Sequence, residues 1–343
     1  MNLPLVITLF MSLIAIFFTG SMASAQIKAV VISTPMENAI DELSTIDGKA
    51  ILKTKQGRIL AITLVNGAIN LTLTGIKPKT DTVRPAMLPD GIISYGAGNI
   101  RSAWLINPTR RYRHGVIGDA IEAGGVSIES KNGNINSFNL DQNAVFEDRL
   151  ARLVDMDSDG RDEVLIIKSY LNRGAAIALY KNSAAGVTQA AESEPIGRSN
   201  RWLNIVGTAD FDGDGRTEIA LVITPHIGGT LTLYEFKQGR LVEDKSATGF
   251  SNHAIGSREL GWSAILDING DGVGDIVLPD ARRRSLRAVT FAKGRFKELA
   301  RARLTAKLST AIVAADLDGD GRKEVIYGLA DGSLNVVQFI RQP

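Results

Sequence analysis

The hydrophobic positions of this chain fall in short runs separated by Gly, Asn and Asp turns. Thr230-Leu-Thr-Leu-Tyr234 alternates with the period of a half-buried strand, and Ala176-Ile-Ala-Leu-Tyr180 and Leu286-Arg-Ala-Val-Thr-Phe291 are similar β-rich runs. Four other runs are continuous: Val164-Leu-Ile-Ile167, Ile219-Ala-Leu-Val-Ile223, Ile276-Val-Leu278 and Val325-Ile-Tyr327. Each continuous run follows directly on an acidic segment of nine residues, and each segment is preceded by a further apolar stretch. The order is therefore strand, acidic loop, strand, turn, strand, then a more variable strand.

The acidic segments are Asp155–Glu163, Asp210–Glu218, Asp267–Asp275 and Asp316–Glu324, so their starts are 49 to 57 residues apart. Self-similarity at that period is the signature of a repeat architecture, and about four strands per repeat is the make-up of a β-propeller blade. The earlier half carries the same rhythm without the acids. Lys49 to Leu64 forms one unit, Val83 to Ile106 a second, and His114 to Ile128 a third. With the four clear units these predict seven blades, with six as the alternative because the eroded units are short. The last unit reaches Pro343 with only three strands. The run Ile27-Lys-Ala-Val-Val-Ile32 supplies its outer strand and closes the ring, which removes a sheet edge.

Each acidic loop has the oxygen spacing that calcium takes. Asp155, Asp157, Asp159 and Glu163 occupy positions 1, 3, 5 and 9 of the first, and Asp210, Asp212, Asp214 and Glu218 those of the second. The third offers Asp267, Asn269, Asp271 and Asp275, and the fourth Asp316, Asp318, Asp320 and Glu324. Position 7 (Arg161, Arg216, Val273, Arg322) contributes its main-chain carbonyl, and position 6 is always Gly, where the chain bends sharply. Asn269 lowers the charge of the third loop. An EF-hand needs an acid at position 12, which here is Ile166, Leu221, Leu278 or Tyr327, so that fold is excluded. Up to four calcium ions are expected.

The loops and their flanks resemble the VCBS and FG-GAP repeats of integrin-α-type β-propellers. The resemblance is clear over 148–343 and weak over 45–147, where Tyr95-Gly-Ala-Gly98 is the nearest approach to the FG-GAP tetrapeptide. It implies calcium as a structural ion between two strands of a blade. It implies no single function, because such repeats occur in adhesins, binding subunits and accessory domains of enzymes.

Composition narrows the rest. Residues 3–18 are almost wholly apolar and Ala23-Ser-Ala25 is a cleavage pattern, so 1–25 reads as a signal peptide and 26–343 as one exported domain, periplasmic or secreted. No later run is long and apolar enough to span a membrane. The absence of cysteine excludes disulfides and thiol chemistry. Lys+Arg exceeds Asp+Glu by only 2, which indicates no nucleic-acid partner.

The three histidines have no triad or metal spacing, and no catalytic motif is present. With the acidic loops on one rim, topology places Arg173, His226, Arg282, Arg283 and Arg284 in connections at the other. Arg198, Arg201, His253 and Arg258 lie in the links on that same side. Glu192, Glu194, Glu259 and Asp280 are available to pair with them, and Trp202 and Trp262 read as core anchors or stacking platforms. The leading expectation is a non-enzymatic binding, adhesion or scaffold module whose partner is a protein or an anionic glycan. The alternative is an exported enzyme, or a subunit of one, with its site in the central funnel.

Overall fold

The structure, a computed structural model, describes residues 26–76 and 82–342. The expected signal segment, 1–25, lies outside the described residues. The described chain opens with β1 (Ile27–Pro35), which completes the last of six four-stranded antiparallel units. Unit one is β2 (Ile40–Ile46), β3 (Lys49–Thr54), β4 (Ile59–Val65) and β5 (Ala68–Leu73). In unit two, β6 (Ser94–Tyr95), β7 (Ile100–Thr109), β8 (Glu122–Ser130) and β9 (Ile135–Asn139) follow one another. A short strand, β10 (Ala144–Phe146), bridges β8 and β12 and joins units two and three into one nine-stranded sheet.

Unit three comprises β11 (Arg152–Val154), β12 (Glu163–Tyr170), β13 (Gly174–Ser183) and β14 (Gly186–Glu192). Unit four comprises β15 (Leu203–Ala209), β16 (Glu218–Ile223), β17 (Thr230–Lys237) and β18 (Arg240–Thr248). Unit five comprises β19 (Ala264–Leu266), β20 (Asp275–Pro279), β21 (Ser285–Thr290) and β22 (Lys297–Arg303). Unit six has β23 (Val313–Ala315), β24 (Glu324–Gly328) and β25 (Ser333–Arg341), with β1 as its fourth strand. The pairing of β1 on β25 runs from Ile27↔Arg341 to Pro35↔Ser333, so the two ends of the described chain share one sheet.

Six units, not seven, are formed among the described residues. The stretches expected as a second and a third unit are one: Leu105 of β7 pairs with Val126 of β8. His114 to Asp119 is the connection between those two strands. Without an acidic loop to mark the first hairpin, each strand-like run in this region reads in the sequence as the start of a separate unit.

The continuous apolar runs are second strands buried on both faces. Along β12, Leu165 and Ile167 join a core shared with unit four, while Val164 and Ile166 join a core shared with unit two. Along β16, Ile219 and Leu221 face unit three, and Ala220 and Val222 face unit five. Val277 of β20 packs with Val325 and Tyr327 of β24, whereas Ile326 packs against Leu52 and Leu60 of unit one. The period of two therefore assigns alternate side chains to the two neighbouring sheets, and every residue in the run must be apolar. Five apolar cores link the units in the order two, three, four, five, six, one. Among the described residues no such core joins unit one to unit two.

Candidate metal centres and the opposite rim

Each acidic loop connects the first and second strands of its unit and is closed by the same residue pair. The residue before position 1 faces position 9 across the hairpin: Val154↔Glu163, Ala209↔Glu218, Leu266↔Asp275 and Ala315↔Glu324. Position 6 is left-handed in all four, with φ of 80° at Gly160, 86° at Gly215, 84° at Gly272 and 86° at Gly321. Nothing lies within 4 Å of a Cβ built there, so it is the backbone angle and not crowding that requires glycine. The amide of that glycine donates to the position 1 carboxylate at 2.9–3.0 Å in every loop. Position 7 donates in the same way to position 5, at 2.7–3.0 Å.

The ninth-position acid is the buried member. One of its oxygens accepts the position 2 amide, from Met156, Phe211, Ile268 or Leu317, at 2.7–2.9 Å. Glu218 Oε1 and Asp275 Oδ1 are buried with no hydrogen-bond partner. Burial, reinforced by the neighbouring aspartates, pushes Glu218 up to about 7 and Asp275 to about 6, and raises Glu163 and Glu324 likewise. Buried oxygens without donors, in an all-oxygen shell, are what a hard divalent cation satisfies.

Oxygens of Asp210, Asp212, Asp214 and Glu218 lie within 4.8 Å of one another, as do those of Asp155, Asp157 and Glu163, and those of Asp316, Asp318 and Asp320. Asp159 and Glu324 fall outside those groupings. In the third loop the Asn269 amide donates to Asp271 Oδ2 at 2.9 Å and occupies an oxygen that a cation needs.

The candidate residues of the other rim do not form one site. Connections between second and third strands carry Arg173, His226 and Arg282–Arg284, as the topology requires. Arg173 lies over the Tyr170 ring, 4.8 Å from its centroid. Arg258 pairs with Asp119 at 2.9 Å and Asp90 at 3.6 Å. Arg283 donates to Ser251 Oγ and to the His253 carbonyl. Arg198, Arg282 and Arg284 are exposed, and Arg201 is half-buried. Asp280 receives the main-chain amides of Arg282 and Arg284, while Glu192 is engaged by Lys168 and Tyr170 and Glu259 by the Gly261 amide. Trp202 and Trp262 are buried, which leaves neither free to stack on a ligand.

Spacing in the sequence missed two clusters. His226 Nε2 lies 2.8 Å from His253 Nδ1, with the Trp202 ring stacked on His226. The other is acidic: Glu147, fully buried, meets His114 Nδ1 at 2.6 Å and accepts from Ser169 Oγ at 2.5 Å. The register Ala123↔Phe146 sets Glu122 beside it, also fully buried and with both carboxyl oxygens unpartnered. Burial, with Glu147 and Asp119 nearby, drives Glu122 far above the usual carboxylate range. A further feature is a cavity of about 740 Å³ to which all six units or their links contribute, through Leu43, Ile92, Arg152, Ile205, Leu260 and Ala311. Its three arginines are paired within the protein, Arg152 with Asp148 at 2.6 Å, Arg149 with Asp90 at 3.2 Å and Arg258 with Asp119 at 2.9 Å.

No curated protein matches the chain. The family model for the FG-GAP-like repeat matches residues 155–221 and 267–327, and each match begins at position 1 of an acidic loop. Those two stretches hold all four loops, the strands that follow them and the residues whose oxygens converge. Over residues 155–221 and 267–327, the chain is similar to the FG-GAP-like repeat family.

Proposed function

We propose that this chain is a calcium-loaded β-propeller of six blades that acts outside the cytoplasm as a binding module. The observation that carries the reading is the second loop, where four carboxylates converge and Glu218 Oε1 is buried without a donor. Asp155, Asp157 and Glu163, and Asp316, Asp318 and Asp320, are the corresponding ligands of the first and fourth loops, with position 7 carbonyls beside them. The third loop is the weakest of the four, for its Asn269 and its smaller charge. A calcium ion held there would supply a divalent charge that offsets part of each loop's negative charge, and the carboxylates of positions 1, 3, 5 and 9 would tie the first strand to the second through it. The six units, packed pairwise through shared apolar cores, support the ring, and the cavity reached by all of them supports a common axis.

The FG-GAP-like repeat is generally a binding element, and the paired arginines of the cavity favour a binder over an enzyme. Placement outside the cytoplasm rests on residues 1–25 alone, and it requires a mature chain that starts at Gln26. Among the described residues no helix is long and apolar enough to cross a membrane.

The test is thermal unfolding in chelator and in millimolar calcium. A ligand held only by the native state adds about 2.7 kcal/mol per site at a hundredfold excess over Kd. Several sites should raise the melting temperature by many degrees, and superimposable curves reject the reading.

A further inference from the structure

The four loops are not equivalent, and the difference comes from the third strand of each unit. One residue on that strand stands opposite the ninth-position acid. Glu218 pairs directly with Glu235. One step beyond Val164↔Tyr180, Ile276↔Val289 and Val325↔Val337, the corresponding residues are Lys181, Thr290 and Gln338. These side chains reach the loop. Gln338 Nε2 lies 3.3 Å from Asp318 Oδ2 and 3.4 Å from Glu324 Oε1. Thr290 stands beside Asp275. Lys181 Nζ lies 2.7 Å from Asp157 Oδ2 and 3.6 Å from Glu163 Oε1.

Asp157 and Glu163 are two of the three acids whose oxygens converge in the first loop. An ammonium there already supplies part of the positive charge that a metal ion would bring. No other third-strand residue in this position carries a positive charge. In the second loop Arg216 also approaches, but Glu235 Oε1 takes up part of its charge at 2.6 Å and adds a carboxylate to that site.

We propose that Lys181 sets the metal affinity of the first loop, as a tethered counter-cation that a divalent ion must displace. The inference rests on the calcium reading above. Lys181 is 40% exposed, so it can swing into water when an ion arrives. The first loop is thus held together in two ways, by lysine when calcium is scarce and by calcium when it is plentiful. It fills after the second and fourth loops.

The fourth loop shows what the first becomes without the charge, because Gln338 occupies the same place. Lys181→Gln is therefore the variant, with Lys181→Met to remove the charge without adding an amide. In calorimetric titration of the chelated full chain with calcium, at least one site should tighten tenfold or more in both variants. Melting should respond differently in the two conditions: lower than wild type in chelator, where the carboxylates now repel unshielded, and equal or higher in millimolar calcium. An unchanged isotherm overturns the proposal. So does an equal drop in both conditions, which would make Lys181 a plain structural ion pair. Failure of the calcium reading itself looks different, since the wild type would then take up no calcium at all.

Discussion

At the scale of single residues, the least expected arrangement is the pair His226 and His253. His253 Nε2 faces the Ser257 carbonyl at 2.9 Å, and a carbonyl only accepts, so that nitrogen carries the proton. His253 Nδ1 must then accept from His226 Nε2–H, and both rings are neutral. A second proton on His253 would set two N–H groups against each other. Burial, helped by His253 and Arg283 at the one ring and by Arg283 at the other, holds His226 down to about 3 and His253 to about 4. These pKa values are depressed below the unfolded value of about 6.5, so the unfolded chain binds more protons in between. The stabilisation is complete above about pH 6.5 and is lost as pH falls through about 4 and 3. Buried His253 should cost about 2 kcal/mol of stability between pH 7 and pH 5, with less from half-buried His226. Urea melts in chelator at the two pH values measure it, and His226→Asn combined with His253→Asn should shrink the difference. An equal loss in the double variant would assign the acid sensitivity to other groups.

At the scale of elements, strands and hairpins were legible because their determinants are local. Asp at position 1, Gly at position 6 and an acid at position 9 close a hairpin with bonds among nine neighbouring residues. The first loop shows the latitude: Ser158 sits at φ 57° where the other three loops have Gly. The connections at the opposite end are less regular, and position in sequence did not tell which arginines face water. Arg283 and Arg258 are committed to internal partners. Exposed Arg198, Arg282 and Arg284 remain as candidates to meet an anionic protein patch or glycan on that rim, the last two in one connection. Surface charge of this kind is screened over about 10 Å at 0.1 M salt and about 3 Å at 1 M. Changing Arg282 and Arg284 together to Ser should lower the salt needed for elution from a polyanion column and leave calcium-dependent melting unchanged. Identical elution of wild type and variant removes these two residues from any binding surface.

At the scale of the whole molecule, the pairing of β1 with β25 brings the two ends of the described chain together. The bond from the Gln342 amide to the Gln26 carbonyl fixes the ladder's phase, which makes Ser33 and Asn335 a closely spaced, non-hydrogen-bonded pair. Cysteines at both positions fit a disulfide, whose Cα atoms lie about 4.4–6.8 Å apart. In a chain with no other cysteine, Ser33→Cys with Asn335→Cys should cross-link on mild oxidation, seen as a faster band on a non-reducing gel. Closing so long a loop should stabilise by up to about 5 kcal/mol. Two persistently free thiols would place β1 elsewhere in solution. The seam between units one and two, which lacks a shared core among the described residues, is the join that this pairing does not reinforce.

The sequence alone determined what depends on short stretches: the β class, the four matched loops, their oxygen-rich chemistry and the doubly buried runs that follow them. It also pointed to the N-terminal run as the partner of the last unit, because an unpaired strand edge is a local deficit that any reader of the pattern can see. Tertiary structure decided everything carried by residues far apart in the chain. It merged two expected units through β7 and β8, and it set His226 against His253 and Glu122 beside Glu147. It gathered one cavity from six units and placed Lys181, rather than a neutral side chain, among the acids of the first loop. Such contacts are set by how sheets stack and by which side chains the packing leaves opposite one another, and no spacing along the chain encodes that.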